Sequence, residues 1–381
     1  MRLMYIGEQL MCYIRAGIDI HESFLSAGYT YKSRDFGWHT VMEKKEENME
    51  KFINNAPFAL VLVFLVIGFV LLIKGADFFV EGSSSVAKRL HVPSIIIGLT
   101  IVAMGTSLPE TAVSVSASLT GNNELAVSNV VGSNIFNLMV VIGVCAVLAT
   151  VNVAKETIKR DIPLSLICAG LLMLLGIIGL GDKSGMTLGH FDGVILLGFF
   201  ADYIFYMIKI ALKASREGRK VEIEGGLDED IKMISVPLSI LFIVGGAAAI
   251  AVGGDITVDA AARIAGDLGM SQTLIGLTII AMGTSLPELV TSIVASRKDE
   301  VDMALGNVIG SNIFNILFVL GVAAAISPVG FALENIIDIA FLIIISAITL
   351  VFAWTSKEIN RKEGIIMLVL YAAYMVYICM R

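Results

Sequence analysis

The chain has 381 residues, of which 56% are hydrophobic and 16% charged, and its formal net charge is −7. Soluble domains carry about 45–50% apolar and about 25% charged residues, so this composition excludes an ordinary soluble protein and calls for a bilayer. The net charge itself decides little, because the positive residues are unevenly placed; the lipid bilayer is an expected partner and nucleic acid is not.

Each membrane span needs about 20 apolar residues. Residues 1–56 precede the first such run as a polar leader. Its first 51 residues hold seven Lys/Arg, no apolar run long enough to span, and no small-residue cleavage pattern behind a hydrophobic stretch. Either translation starts at Met49 or Met42, or the leader is a disordered extension without a functional role. Hydropathy then gives ten spans, beginning near Phe58, Ser94, Glu124, Asp161, Phe191, Met233, Ser271, Val301, Asn335 and Glu363. They form two units of five, residues 57–211 and 233–381. The linker between them, 212–232, is LKASREGRKVEIEGGLDEDIK, whose acidic end reads as a solvated charge run. The four cysteines (Cys12, Cys145, Cys168, Cys379) have no metal or disulfide spacing, and the three inside apolar runs read as small core residues.

The two units are copies of one another. Residues 98–143 align without a gap on 276–321, 178 positions later, with 26 identical pairs out of 46. Upstream, Gly75, Asp77 and Val80 match Gly253, Asp255 and Val258; downstream, Gly193, Tyr203 and Tyr206 match Gly364, Tyr374 and Tyr377 at an offset of 171. Five spans is an odd number, so the second unit enters the membrane upside down relative to the first. The fold expected is an all-α integral membrane protein of ten transmembrane helices in two inverted-topology repeats. Lys and Arg concentrate on the cytoplasmic side of membrane proteins. Beyond residue 51, one set of loops carries sixteen and the opposite set three (Lys183, Arg263, Arg381). The linker is therefore expected in the cytoplasm and both termini outside.

The chemistry lies in Gly-Thr-Ser-Leu-Pro-Glu, at 105–110 and again at 283–288. Proline has no N–H to give and clashes with the carbonyl four residues earlier, here that of Gly105 or Gly283. The expected result is a helix broken near mid-membrane, with free carbonyl oxygens beside Ser107, Ser285 and the carboxylates of Glu110 and Glu288. A mid-span carboxylate costs roughly 2.5–3.5 kcal/mol even on the lenient insertion scale, so two at matching positions point to a shared ion site. Asn129, Ser133 and Asn137 fall at i, i+4, i+8 on the next span, as do Asn307, Ser311 and Asn315, so each trio lines one helix face. Ser114 and Ser292 share a face with the glutamates, and Gly132 and Gly310 would let neighbouring helices approach closely. All the donors are hard oxygens, without sulfur or imidazole, which suits Ca²⁺-like cations and not zinc or copper. Asp77 and Asp255 sit near the ends of their runs, and a local ion pair with Lys74 accounts for the first. Asp202 aligns with Ala373 and has no counterpart. His91 and His190 are expected at the interface.

The paired G-T-S-L-P-E and G-S-N-I-F-N motifs (105–110, 132–137, 283–288, 310–315) resemble the alpha repeats of the cation/Ca²⁺ antiporter superfamily. The resemblance is to its sodium/calcium exchanger branch, including the bacterial members described as potassium-dependent-like. It covers nearly the whole chain beyond the leader. It implies that Glu110 and Glu288 clamp Ca²⁺ with the backbone carbonyls of Thr106 and Thr284, and that Asn137 and Asn315 complete this central site. It further implies flanking Na⁺ sites from Ser107, Ser285, Ser133 and Ser311, with the carbonyls of Ala103 and Ala281. Ca²⁺ and Na⁺ would be transported ions, and no cofactor is implied. Potassium-dependent relatives have an aspartate where this chain has Asn315, which implies potassium-independent exchange. The activity implied is electrogenic Na⁺/Ca²⁺ antiport by alternating access. Exchange coupled to protons, exchange of Mg²⁺ or Mn²⁺, and a passive cation channel are the alternatives. No Ser-His pair or zinc-type His-Glu-x-x-His supports an enzyme.

Overall fold

A long apolar run leaves the backbone no water to bond, so it closes its hydrogen bonds internally as a helix. The computed structural model describes residues 52–53, 56–119, 123–179, 186–223, 234–270, 279 and 281–380, and these are almost wholly helical. Helix α1 spans Phe58–Leu90. A broken element follows, α2 (Ser94–Thr106) and α3 (Leu108–Leu119), bent by 48°. Next come α4 (Glu124–Leu148) and α5 (Thr157–Ile178), α6 (His190–Ile223) and α7 (Val236–Asp267). A single short turn, α8 (Ala281–Gly283), leads into α9 (Leu286–Arg297). The chain ends with α10 (Val301–Ile326), α11 (Leu333–Ser356) and α12 (Arg361–Met380).

Among the described residues, eight helices are long and apolar enough to cross a membrane, or nine with the bent pair taken as one span. The span expected from Ser271 begins in residues 271–278, which lie outside the described set. So do residues 1–51 of the leader and 224–233 at the end of the linker. Residues 53–381 form one unit, and the other, 1–52, lies almost entirely outside the description. Helix α6 runs to Ile223, well into the stretch read as linker. Lys, Ala, Arg and Glu there are good helix formers, and Lys213 faces Glu217 one turn on at 3.9 Å. Of the cysteines in apolar runs, Cys145 and Cys168 are buried as expected, but Cys379 is exposed near the end of α12.

Burial sorts the helices into a centre and a lipid-facing wall. In α4 and α10 the most apolar stretch is 78% buried, against 17–22% in α1, α6, α7 and α12. Exposed Leu, Val, Ile and Phe along α1 and α7 are what a lipid surface requires.

Glycines set how closely the helices meet. Gly68, Gly75 and Gly82, seven residues apart on α1, lie against Gly253 and Thr257, Gly246 and Ile250, and Ser239 of α7. The α7 numbers fall as the α1 numbers rise, so these sequence-matched helices run antiparallel. A Cβ on Gly75 would stand 2.9 Å from the Ile250 nitrogen, and one on Gly246 2.7 Å from the Gly75 oxygen. Other contacts are reciprocal in the same way. Gly143 of α4 meets Gly364 of α12, while its match Gly321 of α10 meets Gly193 of α6.

Two short antiparallel pairings repeat this exchange outside the helices. Strand β1 (Val151–Asn152) pairs with β4 (Glu358–Ile359), and β2 (Thr187–Leu188) with β3 (Val329–Gly330). Each joins one sequence unit to the other.

Overpacking such a seam costs about 1–3 kcal/mol. Gly75→Val is therefore expected to lower the thermal midpoint of the purified protein in detergent. Gly198→Val, on α6 where a Cβ meets nothing within 4 Å, is expected to leave it unchanged.

Candidate ion-binding site

The helix break falls where the proline chemistry puts it. Helix α2 ends at Thr106, Ser107 leaves helical geometry, and α3 restarts at Leu108 with Pro109 in its first turn. The second copy repeats this: Thr284 and Ser285 form the break and α9 starts at Leu286, with Pro287 next. Each glutamate thus sits in the first turn of a helix, Glu110 on α3 and Glu288 on α9. Free N–H groups and the helix dipole favour a negative charge there. Gly105 lets this turn pass Phe79 of α1, whose ring a Cβ would meet at 2.6 Å, and Gly283 does the same against Val258 of α7.

Both carboxylates are fully buried, and each is held from the opposite copy. Ser107 Oγ donates to Glu288 Oε1 at 2.7 Å, and Ser285 Oγ donates to Glu110 Oε1 at 3.0 Å. The two breaks therefore interlock at one locus. Ser311 Oγ stands 3.4 Å from Glu288 Oε1 and 3.5 Å from the Ala103 carbonyl oxygen. Ala281 takes the position in α8 that matches Ala103.

The helix faces read from the sequence come together around these breaks. Asn129 Nδ2 donates to the Glu110 carbonyl at 3.3 Å and to Ser114 Oγ at 3.0 Å. Asn307 Nδ2 repeats this with the Glu288 carbonyl at 3.5 Å and Ser292 Oγ at 3.0 Å. Their amide oxygens face the other copy: Thr106 Oγ1 donates to Asn307 Oδ1 at 3.0 Å, and Thr284 Oγ1 lies 3.5 Å from Asn129 Oδ1.

Sequence reasoning missed Asn134 and Asn312. They lie outside the i, i+4, i+8 faces, yet both are buried and their carboxamides cross between α4 and α10. The signal was present in Gly-Ser-Asn-Ile-Phe-Asn, which keeps two asparagines three apart in both copies. Also unforeseen are the π-helical turns that begin at Asn137 and Asn315, where Ile142 and Leu320 bond back five residues. Such turns are frequent at functional sites. The close approach expected at Gly310 is present, a Cβ there falling 2.7 Å from Leu99. At Gly132 nothing among the described residues lies within 4 Å.

Some buried oxygens remain unpaired. Among the described residues Glu110 Oε2, Glu288 Oε2, Asn137 Oδ1, Asn315 Oδ1 and Ser133 Oγ have no hydrogen-bond partner. Buried polar atoms are nearly always bonded, so five on matched residues of one site require an account. All five are oxygens that can face a hard cation. No group of three or more His, Cys, Asp and Glu converges among the described residues, so nothing there resembles a transition-metal centre.

Fold and site together define a multi-pass integral membrane protein with an oxygen-rich, doubly acidic centre between two matched halves. The sequence model of the sodium/calcium exchanger protein family matches the chain twice, over residues 60–209 and 238–380. The chain belongs to that family. CaxA of Alkalimonas amylolytica is 41% identical over 323 residues, covering 82% of this chain and 96% of that protein. The sodium/calcium exchanger MaX1 of Methanosarcina acetivorans is 35% identical over 346 residues, covering 82% and 96%. A solved structure of the sodium-calcium exchanger NCX_Mj, soaked with Na⁺ and Sr²⁺, is 32% identical with a TM-score of 0.70, covering 84% of this chain and 99% of that one.

Losing one buried hydrogen bond costs about 0.5–1.5 kcal/mol and leaving its partner unsatisfied somewhat more. Thr106→Val keeps the shape but orphans Asn307 Oδ1, and is expected to lower thermal stability in detergent measurably. Thr284→Val, whose contact is longer, should lower it less.

Proposed function

We propose that this protein is a secondary antiporter that exchanges Na⁺ for Ca²⁺ across the membrane by alternating access. The observation that carries the reading is the pair of interlocked, fully buried carboxylates with their outer oxygens unpaired. Glu110 and Glu288 would hold Ca²⁺ with the carbonyls of Thr106 and Thr284 and the amide oxygens of Asn137 and Asn315. Ser107, Ser285, Ser133 and Ser311, with the carbonyls of Ala103 and Ala281, would serve flanking Na⁺ sites. Relatives named as sodium/calcium exchangers, and NCX_Mj crystals soaked with Na⁺ and Sr²⁺, support the ion pair chosen.

The exchange follows from charge. Two carboxylates among neutral amides and hydroxyls make a site of −2, and burying that charge alone during a conformational swing is prohibitive. One Ca²⁺ neutralises it, and so do two Na⁺. Only loaded forms would cross, which makes the exchange obligatory. A third Na⁺ at the hydroxyls would make the cycle electrogenic, with about 2.3 kcal/mol per charge per 100 mV of membrane potential. The neutral Asn315 leaves no further carboxylate for K⁺, so exchange is potassium-independent.

The architecture that supports this is ten helices in two inverted repeats. The family's sequence model matches each half separately, and the matched helices α1 and α7 run antiparallel, as inversion requires. The bias of Lys and Arg, sixteen against three, favours a cytoplasmic linker and termini outside.

Glu110→Gln and Glu288→Gln are each expected to abolish uptake of radiolabelled Ca²⁺ into Na⁺-loaded proteoliposomes while the protein still folds. Normal uptake by either variant overturns the reading. Adding K⁺ on either side should leave the wild-type rate unchanged. Acidification should suppress uptake, because a protonated carboxyl is neutral and no longer attracts the cation. Uptake sustained by a pH gradient without Na⁺ would instead indicate proton coupling.

A further inference from the structure

We propose that Asn134 and Asn312 are positioning residues that orient the amides of Asn137 and Asn315 and thereby fix the charge of the site. The proposal rests on the reading of that site as a cation site. Asn134 Nδ2 donates to the Asn312 carbonyl at 3.1 Å, and Asn312 Nδ2 donates to the Asn134 carbonyl at 3.2 Å. This mutual clasp joins α4 to α10 and spends an N–H of each carboxamide. Each Oδ1 is thereby aimed at the other copy's second asparagine. Asn312 Oδ1 accepts from Asn137 Nδ2 at 3.2 Å, and Asn134 Oδ1 accepts from Asn315 Nδ2 at 3.1 Å. All four side chains are buried, with at most 1% exposure.

A carboxamide has two unlike ends. Once Nδ2 of Asn137 and Asn315 is held from behind, Oδ1 must face the other way, and both of these oxygens are unpaired among the described residues. Released from the clasp, either amide could turn and present its N–H₂ to the cation, replacing a ligand with a repulsive dipole. The clasp also selects residue type. An acceptor oxygen aimed at positions 137 and 315 needs a donor there, which an amide supplies and a carboxylate does not. Asn134 and Asn312 therefore favour neutral residues beside the two glutamates and hold the site at −2.

The test measures Na⁺-driven Ca²⁺ uptake in proteoliposomes for Asn312→Leu, alone and with Asn137→Asp. In the single variant the KM for Ca²⁺ is expected to rise about tenfold, with kcat changed much less, since an orienting hydrogen bond and the orphaned group behind it are lost. An aspartate at 137 has oxygen at both ends and nothing to orient. In that background Asn312→Leu should shift KM by less than about twofold, a large coupling for residues in contact. An unchanged KM in the single variant, an equal rise in both backgrounds, or a loss confined to kcat would overturn the proposal. Should Asn312→Leu not reach the membrane, Asn312→Ser, whose hydroxyl is too short to reach Asn137, carries the same expectations. Glu110→Gln, run alongside, separates the two levels: if it is inactive while KM in Asn312→Leu is unmoved, only the positioning role falls.

Discussion

Two carboxyl groups are buried at the centre of this protein, each bonded to a serine of the half that carries the other. A lone buried carboxylate is already costly, and two in one site stay ionised only where positive charge is supplied. The protein supplies part of it as partial charge. Both glutamates lie in the first turn of a half-helix, and both accept a serine hydroxyl from across the break. A helix terminus is worth up to about 2 kcal/mol in a buried setting, well short of solvating two anions. The remaining deficit is what a cation bound at the proposed site would offset.

The surrounding structure serves that deficit by keeping the halves close and the donors neutral. Gly98, Gly306 and Gly310 let α2 and α10 approach to backbone contact, so that Ser311 can reach both Glu288 and the Ala103 carbonyl. Gly105 and Gly283 let the broken turns lie against α1 and α7. Asn129 and Asn307 tie α4 and α10 to the half-helices α3 and α9 through the Glu110 and Glu288 carbonyls. Close packing and polar satisfaction are thus one problem here. A methyl group at Gly98, Gly306 or Gly310 would fall 2.6–2.7 Å from the backbone of the facing helix, so the helices would have to part.

Most of this arrangement was legible in the chain. Proline and glycine inside an apolar run announce the break through local sterics alone, and duplication identifies the carboxylates as a pair. The pairing of the serines was not legible. Ser107 and Ser285 stand three residues before a glutamate of their own, the spacing of a local cap, yet each bonds the distant one. Only the approach of the two breaks decides that. Asn134 and Asn312 escaped notice for a similar reason, since helical periodicity ranks residues by shared face and these two work across the flank. The π-helical turns at Asn137 and Asn315 depend on packing and left no local signature. The extension of α6 to Ile223 was masked by its charge, which hydropathy reads as loop although its residues favour helix.

The crossed pattern of bonds bears on where such a protein comes from. The serines of the two breaks and the four asparagines of the clasp find their partners on the opposite copy. A gene encoding one copy alone would yield a product whose needs could be met only by a second molecule of itself, facing the other way. Fusion of two such genes would preserve that homodimer as a single polypeptide. It would also free its halves to drift apart.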